Sequence, residues 1–436
     1  MVRSRDFPVG RKALRRGLPP VLAKIGAIRS DTSGSVAILA AVLFPIVIGG
    51  MGLGAEVGSW YFAQRKLQHA ADVSAHAGAV RKRAGDATNG IVAAATYIAT
   101  KSGFSPEEGR IEVNTPPVSG SRAGDGKSVE VVLSENQPPL FTSVFRDEPI
   151  VIRARAVVKL YAASQACVLA LSPTASGAVT IAGSTVVTID GCDVASNSRA
   201  EDSLQMNGGG QLKADCVYTV GKASISQNLD LNRCESVVEN SPPIPDPYAH
   251  VPEPEVTGAC RSGKLDSATL TPLDPHPSGV SSMRICGGLD IKGTAVFSPG
   301  LYIIDGGEFV ANAGSVLSGS GVTFYLTNGA SLQFNGGATI NLAAPTEGPY
   351  SGLLFFGERD STAKGNQVNG NAGSTFDGAI YIPASSVDYS GKASVSGCTQ
   401  IIGKTVTFTG NSEVRANCRA AGTEDIATSH VIKFEE

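Results

Sequence analysis

Paired carboxylates, histidines and cysteines are the groups in this chain whose types and spacing could do chemistry. Beyond residue 164 the closest acidic groupings are Asp190 with Asp193 and Glu358 with Asp360. A glycoside-cleaving site needs two carboxyls facing each other across a groove. A calcium-assisted one needs a set of oxygen ligands with a base nearby. Both groupings instead read as turns, and Glu358-Arg359-Asp360 as an ion-paired loop. The histidines are His69, His76, His250, His276 and His430. His69 and His76 share one face of an Ala-rich helical stretch, yet no third ligand accompanies them. There is no GxSxG nucleophile elbow and no GxxxxGKS/T phosphate loop. The expectation is a non-enzymatic protein with no cofactor and no metal.

All eight cysteines lie beyond residue 166: Cys167, Cys192, Cys216, Cys234, Cys260, Cys286, Cys398 and Cys418. None forms a CxxC pair, which argues against a zinc ribbon or a thioredoxin-like site. An even number confined to one region reads as disulfides made in an oxidising compartment. Eight cysteines allow about a hundred connectivities, so the pairing stays open. The separations 167–192, 192–216, 234–260 and 260–286 are similar, which makes neighbours the natural candidates.

What positions these groups begins with a membrane anchor. No charged residue falls between Asp31 and Glu56, and that stretch is Ala, Val, Ile, Leu, Gly and Phe. It is long enough to cross a ~30 Å hydrocarbon core as a helix. Residues 1–30 carry Arg3, Arg5, Arg11, Lys12, Arg15, Arg16, Lys24 and Arg29 against one acid, Asp6. Basic flanks stay inside, so the expected topology is a cytoplasmic head and an exported remainder. The apolar run is longer than a signal peptide's, and helical sequence continues past it, so a retained anchor is expected. Gly50, Gly54 and Gly58 recur every four residues, a stripe on which another membrane helix, a second copy or a partner, can pack closely. Pro45 is tolerable mid-span. A net charge of −3 without basic clusters outside the head gives no reason to expect nucleic acid.

Around this anchor the wording is specific. Gly34-Ser35-Val36-Ala37-Ile38-Leu39, Pro45, Gly52-Leu53-Gly54-Ala55-Glu56-Val57-Gly58-Ser59-Trp60-Tyr61 and the Ala-rich run from Leu67 to Ala79 follow one another. This resembles the TadE/TadG-like proteins of the tight-adherence (Flp, type IVc) pilus system. The resemblance covers roughly residues 30–80. It implies an inner-membrane component of a pilus-assembly machine, with a pilin-like helix and with other pilus-assembly membrane proteins as partners. Processed pilins of this kind carry Glu five residues after the cleaved Gly, where this chain has Leu39. The longer members of the family have a DxSxS metal site. Asp31-Thr32-Ser33-Gly34-Ser35 spells it, but at the mouth of the span and with no strand before it.

Four segments follow. Residues 1–30 form the head, and 31–83 the span with its Ala-rich extension. Residues 84–163 form a small α+β spacer, with a helix over 91–100 and period-two strands at 111–113, 128–133 and 149–158. Residues 164–436 repeat. Shifted by 23, Phe309 lies on Leu332, Asn312 on Asn335, Gly314 on Gly337 and Leu317 on Ile340. Tiny strands at that period suit one coil of a parallel β-solenoid rather than a sandwich. Residues 241–256 hold too many prolines for a central strand and read as a flap or a link. The functional expectation is an anchored pilus-assembly or attachment component whose exported solenoid is a scaffold or binding surface. The alternatives are an envelope-anchored carbohydrate-active enzyme and a minor pilin built into the fibre.

Overall fold

The computed structural model describes residues 34–145, 148–226, 228–361, 363–393, 398–415 and 421–435. The basic head, Asp31 to Ser33 and Cys418 lie outside the described residues. Helix α1, Gly34–Arg83, runs unbroken through Pro45. Its first half is exposed and apolar, and α1 is the one described helix long and apolar enough to cross a membrane. Its second half is different. Leu67, Ala70, Ala71, Ala75 and Ala79 recur at three- and four-residue steps and are buried. They pack on Ile91, Ala95 and Ala99 of helix α2, Thr88–Lys101, and on an antiparallel sheet. The small alanines let helix and sheet approach closely.

Three strands of that sheet are β1, Gly109–Asn114, β2, Ser128–Gln137, and β3, Ile150–Ala170, paired antiparallel in sequence order. Val129, Val131 and Leu133 turn inward at period two, as the sequence pattern implies. Two expectations of extent need correction. β3 does not stop near 158 but runs on to Ala170, into the solenoid. The fourth strand is Ala427–Phe434, which the sequence reading assigned to the solenoid and which pairs antiparallel with β3. The solenoid end of β3 and the fourth strand both pair with segments far along the chain, which period-two patterning could not place. The likeness to pilins expected for this unit rests on its helix-plus-sheet plan alone.

The repeat region is a parallel β-solenoid of about ten turns. The 23-residue shift is its register: Phe309 pairs with Leu332 and Leu317 with Ile340. Stacking order departs from chain order. Turns 264–270, 281–297, 300–320, 322–343, 353–377, 378–393 and 399–415 stack successively. The turn 399–415 then stacks on the first turn in sequence, pairing Ile401 with Val168, Val406 with Val179 and Val414 with Ile189. Turns 193–214 and 217–231 complete the stack. The sheet module therefore joins the solenoid at an inner turn and not at an end.

Inside, Phe297, Tyr302, Phe309, Phe324, Phe334 and Phe355 form an aromatic column, with Phe324 stacked between Tyr302 and Phe355 at 5.2 and 5.4 Å. Full burial of each such ring contributes about 1.5–3 kcal/mol. A second apolar cluster lies on the outer face, where Leu301, Ile303, Tyr325, Phe356 and Tyr381 project away from the core. Residues 241–256 cover it. Leaving the turn at 217–231, the chain must return along the stack, roughly 40 Å at one strand spacing per turn. It does so as a strap. Val238 accepts a bond from Thr219, Ile244 exchanges two with Asn197, Tyr248 packs on Tyr381, and Glu255 accepts one from His276.

Disulfides staple the turns nearest the ends and the junction: Cys167–Cys192, Cys216–Cys234 and Cys260–Cys286. Neighbours in sequence pair, but the 192–216 and 234–260 separations are not bridges. Cys398 is also disulfide-bonded. An end turn has a neighbour on one side only, so a covalent link substitutes for missing ladder bonds. Closing loops of 18 to 26 residues stabilises by about 3 kcal/mol each in the chain-entropy account. Mild reduction is therefore expected to speed amide exchange in 204–231 and 260–286 while 300–343 stays protected. Uniform loss of protection would mean that the end turns are not separately stapled.

Candidate functional site

Two of the acids in the closest groupings, Asp193 and Glu358, hold other parts of the fold. Asp193 is fully buried at the join between solenoid and module. Arg233 donates to its Oδ1 at 2.8 Å and also pairs with Asp215 at 3.0 Å, while the Thr428 hydroxyl donates to Oδ2. Burial pushes the Asp193 pKa up, against the pull of the Thr428 and Ser164 hydroxyls and Arg233. The result ties the turn 193–214 to the C-terminal strand.

Glu358-Arg359-Asp360 is a turn, but Arg359 pairs with Glu253 of the strap and not within the tripeptide. The Arg359 guanidinium lies over the rings of Phe356 and Tyr381, at 5.1 and 5.6 Å. It donates to the Tyr248 carbonyl at 2.8 Å and the Val251 carbonyl at 2.9 Å, and it faces Glu253 at 3.8 Å. Arg359 thus clamps the strap on the outer sheet. Glu358 accepts the Asn328 N–H at 3.0 Å.

The histidines do not converge. His69 and His76 are both exposed on α1, and His76 stacks on Phe434. His250 approaches Glu424 at 3.6 Å, and His276 bonds Ser278 and the Glu255 carbonyl. Burial, with the charges of Arg83 and Lys127, lowers the His430 pKa. Among the described residues one set of metal-type ligands does meet, Cys260, Cys286 and Asp305. Its sulfurs are already joined to each other, and Arg284 holds the Asp305 carboxylate at 2.5 Å. A groove of about 280 Å³ between Leu301, Thr323, Glu347 and Tyr350 offers a single carboxylate. This arrangement contains no pair of opposed acids.

On the span, Gly50 and Gly54 are exposed and Gly58 is half-buried. A Cβ added at any of the three would meet nothing, so the stripe is open toward whatever lies outside the chain. The glycine that a neighbour does use is Gly52, which is not on that stripe. The Phe141 ring lies within 2.3 Å of where its Cβ would be. One turn further on, Glu56 is 1% exposed and accepts from the Leu140 N–H at 2.8 Å, the Thr142 N–H at 2.7 Å and the Thr142 hydroxyl at 2.7 Å. Only the charge at the end of the apolar run could have signalled that role.

These features define a class: a disulfide-stapled β-solenoid carried by a single helix able to span a membrane. The anchor is of a known kind. Residues 34–81 match the family described as putative Flp pilus-assembly TadE/G-like. No curated protein and no solved structure matches the chain.

Proposed function

We propose that this chain is a non-enzymatic, membrane-anchored component of a tight-adherence pilus assembly or surface-attachment system, with the solenoid as its rigid scaffold or binding surface. Continuity carries the reading. The segment matching the pilus-assembly family ends in the half of α1 that packs the sheet module, and β3 runs from that module into the solenoid without a linker. A force or contact at the solenoid is therefore transmitted to the membrane helix through one unbroken strand. A cytoplasmic N-terminus is supported by the basic head through the positive-inside rule, and a periplasmic or surface solenoid by the disulfides.

In this reading the open Gly50, Gly54 and Gly58 stripe docks on an inner-membrane assembly partner or on a second copy. The test is pilus counting in cells lacking the chain, complemented with wild type or with Gly50→Leu, Gly54→Leu and Gly58→Leu together. The triple variant should reach the membrane at normal levels and fail to restore pili. Restoration to wild-type counts would remove the stripe from the proposal.

A further inference from the structure

The loop between β2 and β3 is unusual for a surface loop. From Asn136 to Phe145 it carries no charge, and Leu140, Val144 and Phe145 are 62%, 76% and 82% exposed. Surface loops are ordinarily polar, because exposed apolar side chains forgo the stabilisation of burial. Here three large exposed ones lie on or beside a single-turn helix, Thr142–Val144. They are also held in place. Glu56 fixes the backbone at Leu140 and Thr142, and Phe141 seats against Gly52. Gly52 lies about 6 Å further into the apolar run than Glu56, at the rise of an α-helix. The loop is thus fastened beside the last turns of the span and not beyond them.

The helix surface around it has the same character. Val57, Tyr61 and Phe62 are 55%, 56% and 76% exposed, an aromatic and aliphatic band of the kind found where spans leave a bilayer. Glu56, an acid that would be costly at that depth with its oxygens unpaired, spends three hydrogen bonds on the loop.

We propose that loop 138–145 is a second membrane contact, inserting Leu140, Val144 and Phe145 into the lipid interface where α1 leaves the bilayer. The occupant is lipid because the patch is continuous with the lipid-facing surface of the span. The apolar stretch itself is uncharged, and the loop's charges begin only after it, at Arg146. Two points of attachment fix the tilt and rotation of the sheet module on the membrane, and with it the solenoid. The proposal rests on α1 as a membrane span, independently of the pilus role.

The experiment uses the full chain in phosphatidylcholine–phosphatidylglycerol vesicles, with Trp60→Phe removing the one native tryptophan. Phe145→Trp then reports on the loop and, separately, Phe44→Trp on the span. Val144→Trp serves if the first loop variant folds poorly. The loop tryptophan should emit at blue-shifted wavelength and be quenched strongly by brominated lipid and weakly by acrylamide. A quenched span reporter beside a water-exposed loop reporter would overturn the wedge alone. Two unquenched reporters would overturn the span itself. Shielding from acrylamide that ignores brominated lipid and weakens on dilution of protein in the bilayer would assign the patch to a second copy and overturn the lipid assignment.

Discussion

Replacing Tyr248 by alanine is expected to destabilise the solenoid by about 3–5 kcal/mol, as large-to-small changes at buried aromatic sites do. Tyr248 is fully buried although it belongs to the proline-rich strap. Its ring packs on Tyr381 with centroids 5.3 Å apart, its hydroxyl accepts the Glu424 N–H at 3.1 Å, and its carbonyl takes the Arg359 guanidinium at 2.8 Å. Six prolines among the sixteen residues of the strap remove backbone donors, so its side chains carry much of its attachment. Loss of the ring should free residues 244–256 and expose the outer cluster of Leu301, Ile303, Tyr325 and Phe356. Urea unfolding and thermolysin cleavage before Ala249 report the two effects. Tyr248→Phe, which removes only the hydroxyl, should cost about 1 kcal/mol. An unchanged midpoint for Tyr248→Ala, with no new cleavage, would show that the strap does not seal that face.

The strap shows why some of this architecture was legible and some was not. Short-range regularity was readable: the 23-residue shift, the period-two strands, the uncharged span and the anchor's family wording all reappear in the structure. Its prolines identify 241–256 as something other than a strand, because proline cannot donate to a ladder. What the pattern could not supply was which copy of the repeat stacks on which. Ile401 beside Val168 and Val414 beside Ile189 are pairings between apolar β-residues like any others in the repeat. Only closure of the chain makes the last turn meet the first and obliges the strap to travel back. The same blindness hid Ala427–Phe434, which looks like one more solenoid strand until β3 is known to need a partner. Among candidate site residues, the acids were legible as turns but not as clamps. Arg359 and Arg233 act across long separations, and neither motif nor spacing marks such partners. Gly52 and Glu56 were masked by the regular glycine stripe around them.

The second large effect concerns the solenoid as a whole. Gln165 on β3 lies opposite Ala427 on the C-terminal strand, so the module can be closed there as a hairpin. Removing 166–426 keeps α1, α2 and all four sheet strands, and leaves the core of Leu67, Ala71, Ala95, Val131 and Ala156 intact. Such a chain should still reach the membrane, carrying the family-matched segment but no extended surface. The measurement to make is pilus number and surface attachment in cells whose only copy has 166–426 replaced by a short Gly-Ser turn, at membrane levels matched to wild type. The account predicts that attachment is lost, with pili absent if the solenoid is needed for assembly and present if it is the adhesive surface. Wild-type pili together with wild-type attachment would contradict it and return the solenoid to consideration as a carbohydrate-active enzyme.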